Sequence, residues 1–258
     1  MTVKKNDFPV LEFDTDEQAV IMPNHEGFNM KLPRKAVIGF LYNSIDRYAK
    51  NMDCKEVGRF ITCAKSTSIY ETQLKGESVC FCQAPVGAAS AAALMDWLIS
   101  YGVTQIIATG SCGVLLNLPE NQILVPVKVL RDEGTSYKYM PASRYAYTSP
   151  EATDAIEMVL QRERIPYEKV FTWTTDGFFR ETKEMTQYRI QEGCQVVEME
   201  CAALCAVAKM RGISFGQILY SGDTLADPDC YNSRNFGMES GDIAFNLALK
   251  AVLEMEEM

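Results

Sequence analysis

The chain has 258 residues, of which 47% are hydrophobic and 23% are charged, with a formal net charge of -9 and a single histidine. This length is enough to bury a full hydrophobic core in one large domain or two small ones. The acidic balance argues against nucleic acid or an anionic membrane as the main partner, since both are bound by basic surfaces. No apolar run reaches the roughly 18 residues of a membrane-spanning helix, and the polar start lacks the apolar core of a signal peptide.

The nine cysteines do not form a metal or disulfide pattern. None is part of a Cys-x-x-Cys pair, and Cys112, Cys201 and Cys205 lie in apolar stretches that are typical of reduced core thiols. Because His25 is the only histidine, we expect neither a zinc site nor a histidine base. We therefore expect a cytoplasmic protein without a bound metal.

Strands and helices are predicted to alternate along most of the chain. Residues 1–33 are mixed and polar, and we expect them to form an N-terminal extension wrapped on a main domain of residues 34–258. The predicted strands are 36–41, 78–83, 105–109, 122–130, 168–173, 195–197 and 213–220. The predicted helices are 88–101, 150–164, 181–191, 200–211 and 241–258. This alternation predicts an α/β fold with a largely parallel sheet.

Three polar clusters follow predicted strands. They are Gly110–Gly113, Glu198–Glu200 and Ser221–Asp223. In open α/β sheets the ligand binds outside the carboxyl ends of the strands, so these clusters are expected on one edge of the sheet. Their convergence indicates a binding site more strongly than any one of them does.

Glu200 stands where an apolar run gives way to a helix of small residues. A carboxylate at a helix N-terminus is electrostatically favoured, and it can accept two hydrogen bonds from a vicinal diol such as that of a ribose. The alternative is that Glu200 merely begins the helix. Both interpretations remain open on the local pattern.

The Gly110-Ser111-Cys112-Gly113 segment directly follows a predicted strand. Its glycines allow close backbone approach, so that exposed N–H groups and the Ser111 hydroxyl can hold an anion. The spacing and the missing lysine exclude a dinucleotide fingerprint and a P-loop. The alternative is a tight structural turn.

Two further pairs of residues have an interpretation as a site. Asp223 follows the last strand, and Arg234 comes eleven positions later, so the aspartate can donate a proton or hold a heterocyclic nitrogen while the arginine adjusts its pKa. A loop ion pair is the alternative interpretation.

Phe178 and Phe179 are adjacent aromatic residues in a predicted loop, where one ring can stack on a flat ligand and the other can pack below it. The alternative is that both rings pack in the core.

These motifs together resemble the nucleoside phosphorylase-I family. The resemblance rests on strand-Gly-Ser-Cys-Gly, then Val-Glu-Met-Glu at the start of a small-residue helix, then Ser-Gly-Asp, and it runs from about residue 36 to the C-terminus. The family includes hexameric bacterial purine nucleoside phosphorylases, uridine phosphorylases and related nucleosidases. The resemblance implies a single α/β domain with a twisted, largely parallel or mixed sheet flanked by helices. It also implies a homodimer or a hexamer built as a trimer of dimers.

The resemblance implies roles for individual residues. Glu200 would hold the ribose hydroxyls, Met199 would pack against the sugar, Phe178 would stack on the base and Ser111 would contact phosphate. No cofactor is implied; the ligands are a nucleoside and phosphate, with phosphate as co-substrate. Asp223, supported by Arg234, would protonate or hydrogen-bond N7 of a departing purine.

The choice of base is divided between two branches of the family. Residues 131–137 are more similar to uridine phosphorylases. The Gln and Arg that those enzymes place after the stacking aromatic have no counterpart, because Thr182 and Glu184 occupy about those positions. We therefore expect a purine nucleoside, with uridine as the alternative.

The phosphate site departs from the family pattern. Ala108 stands where phosphorylases of this family carry an arginine, and residues 42–46 replace their Gly-Asp-Pro loop. Arg47, Lys65 and Arg131 are the candidate replacements, and Lys65 falls about where the family places an arginine donated across a subunit interface.

Three functions are compatible with this departure. The first is a phosphorylase that gives free base and ribose 1-phosphate, and the second is a nucleosidase that uses water, with Asp46 or another acid as base. The third is a non-catalytic nucleoside-binding relative, against which the retained Glu200, Asp223 and Arg234 argue. We expect the phosphorylase, with the nucleosidase close behind.

Overall fold

The computed structural model describes residues 3–227 and 229–256, so residues 1–2 of the predicted extension and 257–258 of the predicted last helix lie outside it. The strands are β1 Lys35–Phe40, β2 Lys55–Ile61, β3 Ser66–Leu74, β4 Glu77–Gln83, β5 Gln105–Val114, β6 Ile123–Asp132, β7 Tyr145–Tyr147, β8 Tyr167–Thr175, β9 Val196–Glu198 and β10 Ser214–Thr224. The α-helices are α1 Ser44–Asn51, α2 Ala88–Ser100, α3 Ser136–Tyr139, α4 Pro150–Arg162, α5 Lys183–Gln191, α6 Cys201–Arg211 and α7 Gly241–Glu254. Short 3-10 turns lie at Pro9–Leu11, Phe178–Arg180 and Arg234–Ser240.

All of the strands belong to one mixed sheet, part of which closes on itself. Strand β5 pairs with β10, β10 with β6, β6 with β8, β8 with β9, and β9 again with β5, which completes a ring of five strands. Strands β1, β4, β3 and β2 extend the sheet outward from β5 in that order. The predicted α/β fold with a largely parallel or mixed sheet is thus confirmed, and the sheet is of the mixed kind.

Helices cover both faces of this sheet. Helices α2 and α6 pack on one face, and α1, α4 and α7 pack on the other. Neighbouring strand residues alternate between the two cores: Ile38 and Ile106 contact the α2–α6 side, whereas Val37 and Ile107 contact the α4–α7 side. Burial on both faces explains why these strands are continuous apolar runs in the sequence.

The sequence predicts no element between residues 42 and 77, where the structure has α1, β2 and β3. Strand β2 is mostly exposed or half-buried, and it pairs only with β3, at the edge of the sheet. Such a strand carries no apolar run from which it can be recognised. These elements are additions to the prediction, and they place Lys65 in the turn between β2 and β3.

Residues 3–33 lie along the surface of the domain and contain a single short 3-10 turn within the described part. The indole N–H of Trp97 donates to Glu26 at 3.0 Å, and the guanidinium of Arg211 donates to the carbonyl of Glu17 at 3.1 Å. The extension is thereby connected to helices α2 and α6. None of the helices in residues 3–227 and 229–256 is long and apolar enough to cross a membrane.

Candidate active site

A cavity of about 330 Å³ opens where the carboxyl ends of β1, β4, β5, β9 and β10 meet. This volume falls in the range of about 300–1,000 Å³ that is usual for small-molecule sites. The structure brings together five of the predicted site residues in its lining: Ser111, Phe178, Met199, Glu200 and Asp223. The predicted convergence of three polar clusters on one edge therefore exists.

The Gly110–Gly113 segment is part of strand β5, so the expectation of a loop with exposed N–H groups is wrong. Ser111 pairs with Tyr220 of β10, and Gly113 pairs with Val197 of β9. A Cβ added at Gly113 would come within 3.0 Å of Val197 and 3.3 Å of the Asp223 carboxylate. Gly113 is thus required for the close approach of the strands that carry the site.

Glu198, to which the sequence analysis assigned no role, caps helix α6. Its Oε2 accepts the backbone N–H groups of Glu200 at 2.8 Å and Cys201 at 2.7 Å, and its other oxygen accepts the hydroxyl of Thr174. Burial raises the pKa of the Glu198 carboxyl, and these hydrogen bonds oppose that rise. The signal in the sequence was an acid shortly before a helix, where a carboxylate can accept the free N–H groups of the first turn.

Glu200 is therefore not needed to cap the helix, and its side chain turns into the cavity. It is only 5% exposed, and its Oε1 accepts the backbone N–H of Gly87 at 2.6 Å. Burial, followed by the nearby charge of Glu198, raises the pKa of the Glu200 carboxyl. A ligand that donates hydrogen bonds to this carboxylate would offset the cost of its burial.

Asp223 lies near the end of β10 and is buried in the cavity wall. Burial raises the pKa of its carboxyl, whereas a hydrogen bond from the Tyr231 hydroxyl and the positive charge of Arg234 lower it. Arg234 itself does not line the cavity; its guanidinium donates to the carbonyl of Leu118 at 2.7 Å. The predicted influence of Arg234 on Asp223 thus acts through charge, from outside the cavity.

The two adjacent phenylalanines lie in the 3-10 turn Phe178–Arg180. Phe178 lines the cavity, and Phe179 is 93% exposed, with its ring centroid 4.9 Å from that of Phe178. Phe178 is thus positioned where its ring could contact a ligand in the cavity. The expectation that the other packs below it is wrong, because Phe179 lies on the surface.

The three candidate phosphate-binding cations do not come together in the cavity. Arg47 on α1 is paired with Asp242 of α7 at 2.5 Å, and Lys65 lies in the exposed β2–β3 turn. Arg131 is buried on β6, where its guanidinium donates to two hydroxyl and two carbonyl oxygens of residues 136–143. Arg131 lines a different cavity, so its proposed contact with phosphate at this site is not supported.

Ala108 and Asp46, the other residues considered for the nucleophile site, also lie outside the cavity lining. Ala108 is fully buried on β5, in the core beneath α2 and α6. Asp46, the candidate base of a nucleosidase, lies on α1 and accepts a hydrogen bond from Tyr70 at 3.3 Å, outside the cavity lining. Among the residues that the structure describes, no lysine or arginine lines the cavity, and no cluster of side chains suited to a metal ion occurs.

Sequence reasoning also missed Glu181. The helix predicted from residue 181 begins at Lys183, because the Thr182 side chain accepts the N–H of Met185 and caps it. Glu181 therefore belongs to the preceding turn and lines the cavity. Burial, followed by the charge of Asp223, raises the pKa of Glu181 to about 7.

Comparisons with known proteins agree with this architecture. A guanosine phosphorylase of Halorubrum lacusprofundi is 24% identical over 178 residues, which cover 67% of this chain and 71% of that protein. The crystal structure of a uridine phosphorylase from Vibrio fischeri superposes with a TM-score of 0.75 at 21% identity, covering 91% of this chain and 95% of the other. An AMP nucleosidase from Bacteroides thetaiotaomicron gives a TM-score of 0.69 at 22% identity, covering 86% and 88%.

The sequence model of the phosphorylase superfamily matches residues 34–254, which is most of the chain. The matched range begins just before β1 and ends with α7, so it contains the whole sheet and every strand end that forms the cavity. The chain belongs to the phosphorylase superfamily.

Proposed function

We propose that this chain cleaves the N-glycosidic bond of a purine nucleoside with phosphate, giving the free base and ribose 1-phosphate. The observation that supports this proposal is the presence of Glu200, Asp223 and Phe178 in a single cavity. These three side chains supply a diol acceptor, an acid and an aromatic face, which are the groups that a nucleoside requires. The similarity to a guanosine phosphorylase favours phosphate as the nucleophile.

The ribose is held at the α6 end of the cavity. The Glu200 carboxylate accepts hydrogen bonds from the 2'- and 3'-hydroxyls, and Met199 packs against the sugar. Since Glu200 is fixed by Gly87 and by the start of α6, the sugar is held in a defined orientation for attack at C1'.

The base is held at the β10 end. Phe178 stacks on the ring, and Asp223 donates its proton to N7 as the electron pair of the N-glycosidic bond moves onto the base. Burial raises the pKa of Asp223, so the proton is retained closer to neutral pH than on an exposed aspartate. The purine then leaves as a neutral molecule.

Phosphate requires positive charge that the cavity of one chain does not supply within the described residues. We assign it to the Ser111 hydroxyl, to Lys65 of a second copy and to Arg47 after release from Asp242. Lys65 lies exposed in the β2–β3 turn and has no ion pair within the described part of the chain, so it is free to extend into a neighbour. This assignment requires a homodimer, or a hexamer assembled from dimers.

Hydrolysis is the second candidate, and the charge of the cavity favours it. Four carboxyl groups line the cavity, from Glu181, Glu198, Glu200 and Asp223, without a basic residue among the described lining. Such a lining repels a phosphate dianion but accepts water. The structural similarity to an AMP nucleosidase is consistent with this candidate.

The test is base release from guanosine, inosine, adenosine and uridine, each with and without phosphate, with ribose 1-phosphate detected by phosphorus NMR and free ribose by a reducing-sugar assay. Release that requires phosphate and gives ribose 1-phosphate is the expected result. Release of free ribose without phosphate would replace phosphorolysis by hydrolysis. Release from none of the four would refute nucleoside cleavage.

All nine cysteines are free thiols, which is typical of proteins in a reducing compartment. We therefore propose that the reaction belongs to nucleoside salvage in the cytoplasm.

A further inference from the structure

A second cavity of about 400 Å³ opens beside the end of strand β6, and it shares no lining residue with the candidate active site. Its charged lining residues are Arg131 and Asp132 of β6, Arg144 just before β7, and Arg189 of α5. Three guanidinium groups and one carboxylate give this lining a positive charge. The lining of the active-site cavity carries carboxylates and no basic residue within the described part of the chain.

Arg131 is the most deeply buried of the three arginines, at 4% exposure. Four of the five N–H groups of its guanidinium donate to uncharged oxygens of residues 136–143. The nearby Glu133 carboxylate accepts the backbone N–H groups of Thr135 and Ser136 instead, and it does not line the cavity. Burial lowers the pKa of the Arg131 guanidinium, whereas the negative charge of Glu133 raises it. An anion in the cavity would compensate this buried charge at closer range.

Arg144 and Arg189 share Glu192, which does not line the cavity. Arg144 donates to Glu192 from Nε and Nη2, and its Nη1 has no acceptor within residues 3–227 and 229–256. Arg189 donates from Nη1 to Glu192 at 3.1 Å and from Nη2 to Asp132 at 2.8 Å, and its buried Nε has no acceptor among the described residues. Both guanidinium groups therefore retain N–H groups that are not bonded to protein oxygens. Phosphate and carboxylate oxygens are the usual partners of such groups.

We propose that this second cavity binds a phosphate group, either as inorganic phosphate or as a phosphate monoester. The oxygens of a phosphate surround the phosphorus atom, so they can accept hydrogen bonds from guanidinium groups on different elements, whereas one guanidinium satisfies both oxygens of a carboxylate. The Tyr137 ring, whose centroid lies 4.3 Å from the Arg131 guanidinium, joins Leu11 and Leu130 in an apolar wall for the organic part of an ester. This site goes beyond the proposed function, because it lies outside the cavity that would cleave the nucleoside.

The fluorescence of Trp173 can report on this cavity. Its indole N–H donates to Asp132 at 2.9 Å, and the Arg189 guanidinium lies 5.5 Å from the centroid of its ring. Because Trp97 is the other of the two tryptophans, Trp97→Phe leaves Trp173 as the single indole fluorophore.

The experiment titrates the wild type and Trp97→Phe with inorganic phosphate, ribose 5-phosphate and acetate, at an ionic strength held constant with sodium chloride. We expect a saturable change in fluorescence with the phosphate compounds. Tighter binding of ribose 5-phosphate would identify an ester as the ligand, and tighter binding of inorganic phosphate would identify the free ion. Acetate that binds as tightly as both phosphate compounds would overturn the preference for phosphate.

Arg144→Gln is the test variant, and Arg162→Gln is its matched control, both made in the Trp97→Phe chain. Both arginines are about half exposed and paired with a glutamate, but Arg162 lies on α4 and does not line the cavity. We expect Arg144→Gln to weaken phosphate binding about 10-fold or more, and Arg162→Gln to leave it unchanged. Arg144→Lys keeps the charge but loses the planar fork, so it should bind with intermediate affinity, and it replaces Arg144→Gln if thermal unfolding shows that the latter is not folded.

Ser111→Ala separates this site from the phosphate contact that we propose in the active site. Since Ser111 does not line the second cavity, the response of Trp173 should be unchanged in Ser111→Ala. A response that is lost in Ser111→Ala, or equal affinities in Arg144→Gln and Arg162→Gln, would overturn the second site. The absence of any saturable change with millimolar phosphate or ribose 5-phosphate would overturn it as well. None of these results bears on nucleoside cleavage, which the measurement of base release tests separately.

Discussion

Glu198 and Glu200 are separated by one residue, and they serve different purposes. Glu198 accepts two backbone N–H groups at the start of α6, and Glu200 reaches Gly87 and the cavity. The sequence left two interpretations open for Glu200, an acceptor for a ribose diol or the start of the helix, and it assigned no separate role to Glu198. The pattern contains two acids, and only the backbone path decides which of them the helix uses.

The proposed contact between the Glu200 carboxylate and the ribose hydroxyls can be tested by changing the sugar of the substrate. We expect Glu200→Ala to lower kcat/KM for a ribonucleoside by at least about 100-fold, because two hydrogen bonds to a charged group are lost. The loss should be smaller for the matching 2'-deoxyribonucleoside, which forms only one of them. Steady-state kinetics with both sugars checks this, after thermal unfolding has shown that the variant is folded. An equal loss with both sugars would contradict contact with the 2'-hydroxyl.

The proposed proton donation by Asp223 can be tested by changing the leaving group of the substrate. We expect Asp223→Asn to reduce kcat for inosine by about 100- to 10,000-fold, the usual contribution of a general acid. A riboside whose leaving group is p-nitrophenolate needs no proton, so its cleavage should change little. The ratio of the two rates is the measurement. A comparable loss with both substrates would assign Asp223 a structural role.

The raised pKa of Glu181 should make the stability of the fold depend on pH. Its pKa rises from 4.5 to about 7 in the folded chain, so the folded state holds this proton more tightly than the unfolded state between those pH values. The stability that it contributes therefore falls as pH increases through this window. We therefore expect the Tm of Glu181→Gln minus the Tm of the wild type to be larger at pH 8 than at pH 5. A Tm difference that is the same at both pH values would contradict the raised pKa.

At the scale of secondary structure, the start of α6 depends on a side chain from β9. We expect Glu198→Ala to destabilise the fold by about 1–2 kcal/mol through loss of the cap, measured by chemical denaturation. Hydrogen exchange at the amides of Glu200 and Cys201 should accelerate. Glu198→Gln keeps one acceptor oxygen and should lose less. Unchanged exchange at both amides in Glu198→Ala would refute the cap.

The elements that sequence patterns identified are those buried on both faces. Strand β4 and helix α2 are rich in buried apolar residues, and both were predicted close to their observed bounds. The observed β5 and β10 are longer than predicted, since residues 110–113 and 221–224, which are mostly small or polar, continue the two strands, with a register shift between Ser221 and Thr224. Small and polar residues at the end of a strand have the sequence pattern of a loop. Their pairing with a strand distant in the sequence, which shows that they belong to the sheet, can be seen only in the structure.

At the scale of the molecule, the residues proposed to hold the sugar and the base could be placed together from sequence, whereas those proposed to hold phosphate could not. Glu200 follows β9 and Asp223 lies near the end of β10, and both strands pair with β5, so the proximity of the two residues follows from topology. Arg47 and Lys65 depend on side-chain partners and on neighbouring chains. Arg47 is drawn to Asp242 on α7, which no local pattern could indicate.

The role proposed for Lys65 predicts complementation between subunits. We expect Lys65→Ala to raise the KM for phosphate about 10-fold or more, with little change for the nucleoside. Co-expression of Lys65→Ala with Glu200→Ala should restore activity, because mixed dimers contain one site with both native residues. Activity of the co-expressed pair that stays at the level of the two single variants would show that Lys65 acts within its own chain or not at all.

The closed ring of strands fixes the positions of some residues that line the cavity and leaves others outside its constraint. Strand β5 pairs with both β9 and β10, so the spacing between the residues that follow them is locked by registers that cannot slip at an open edge. Glu181 and Phe178 instead lie in a connection outside the ring. Substitutions in that connection can therefore reshape one wall of the cavity without disturbing the strand registers that position Glu200 and Asp223.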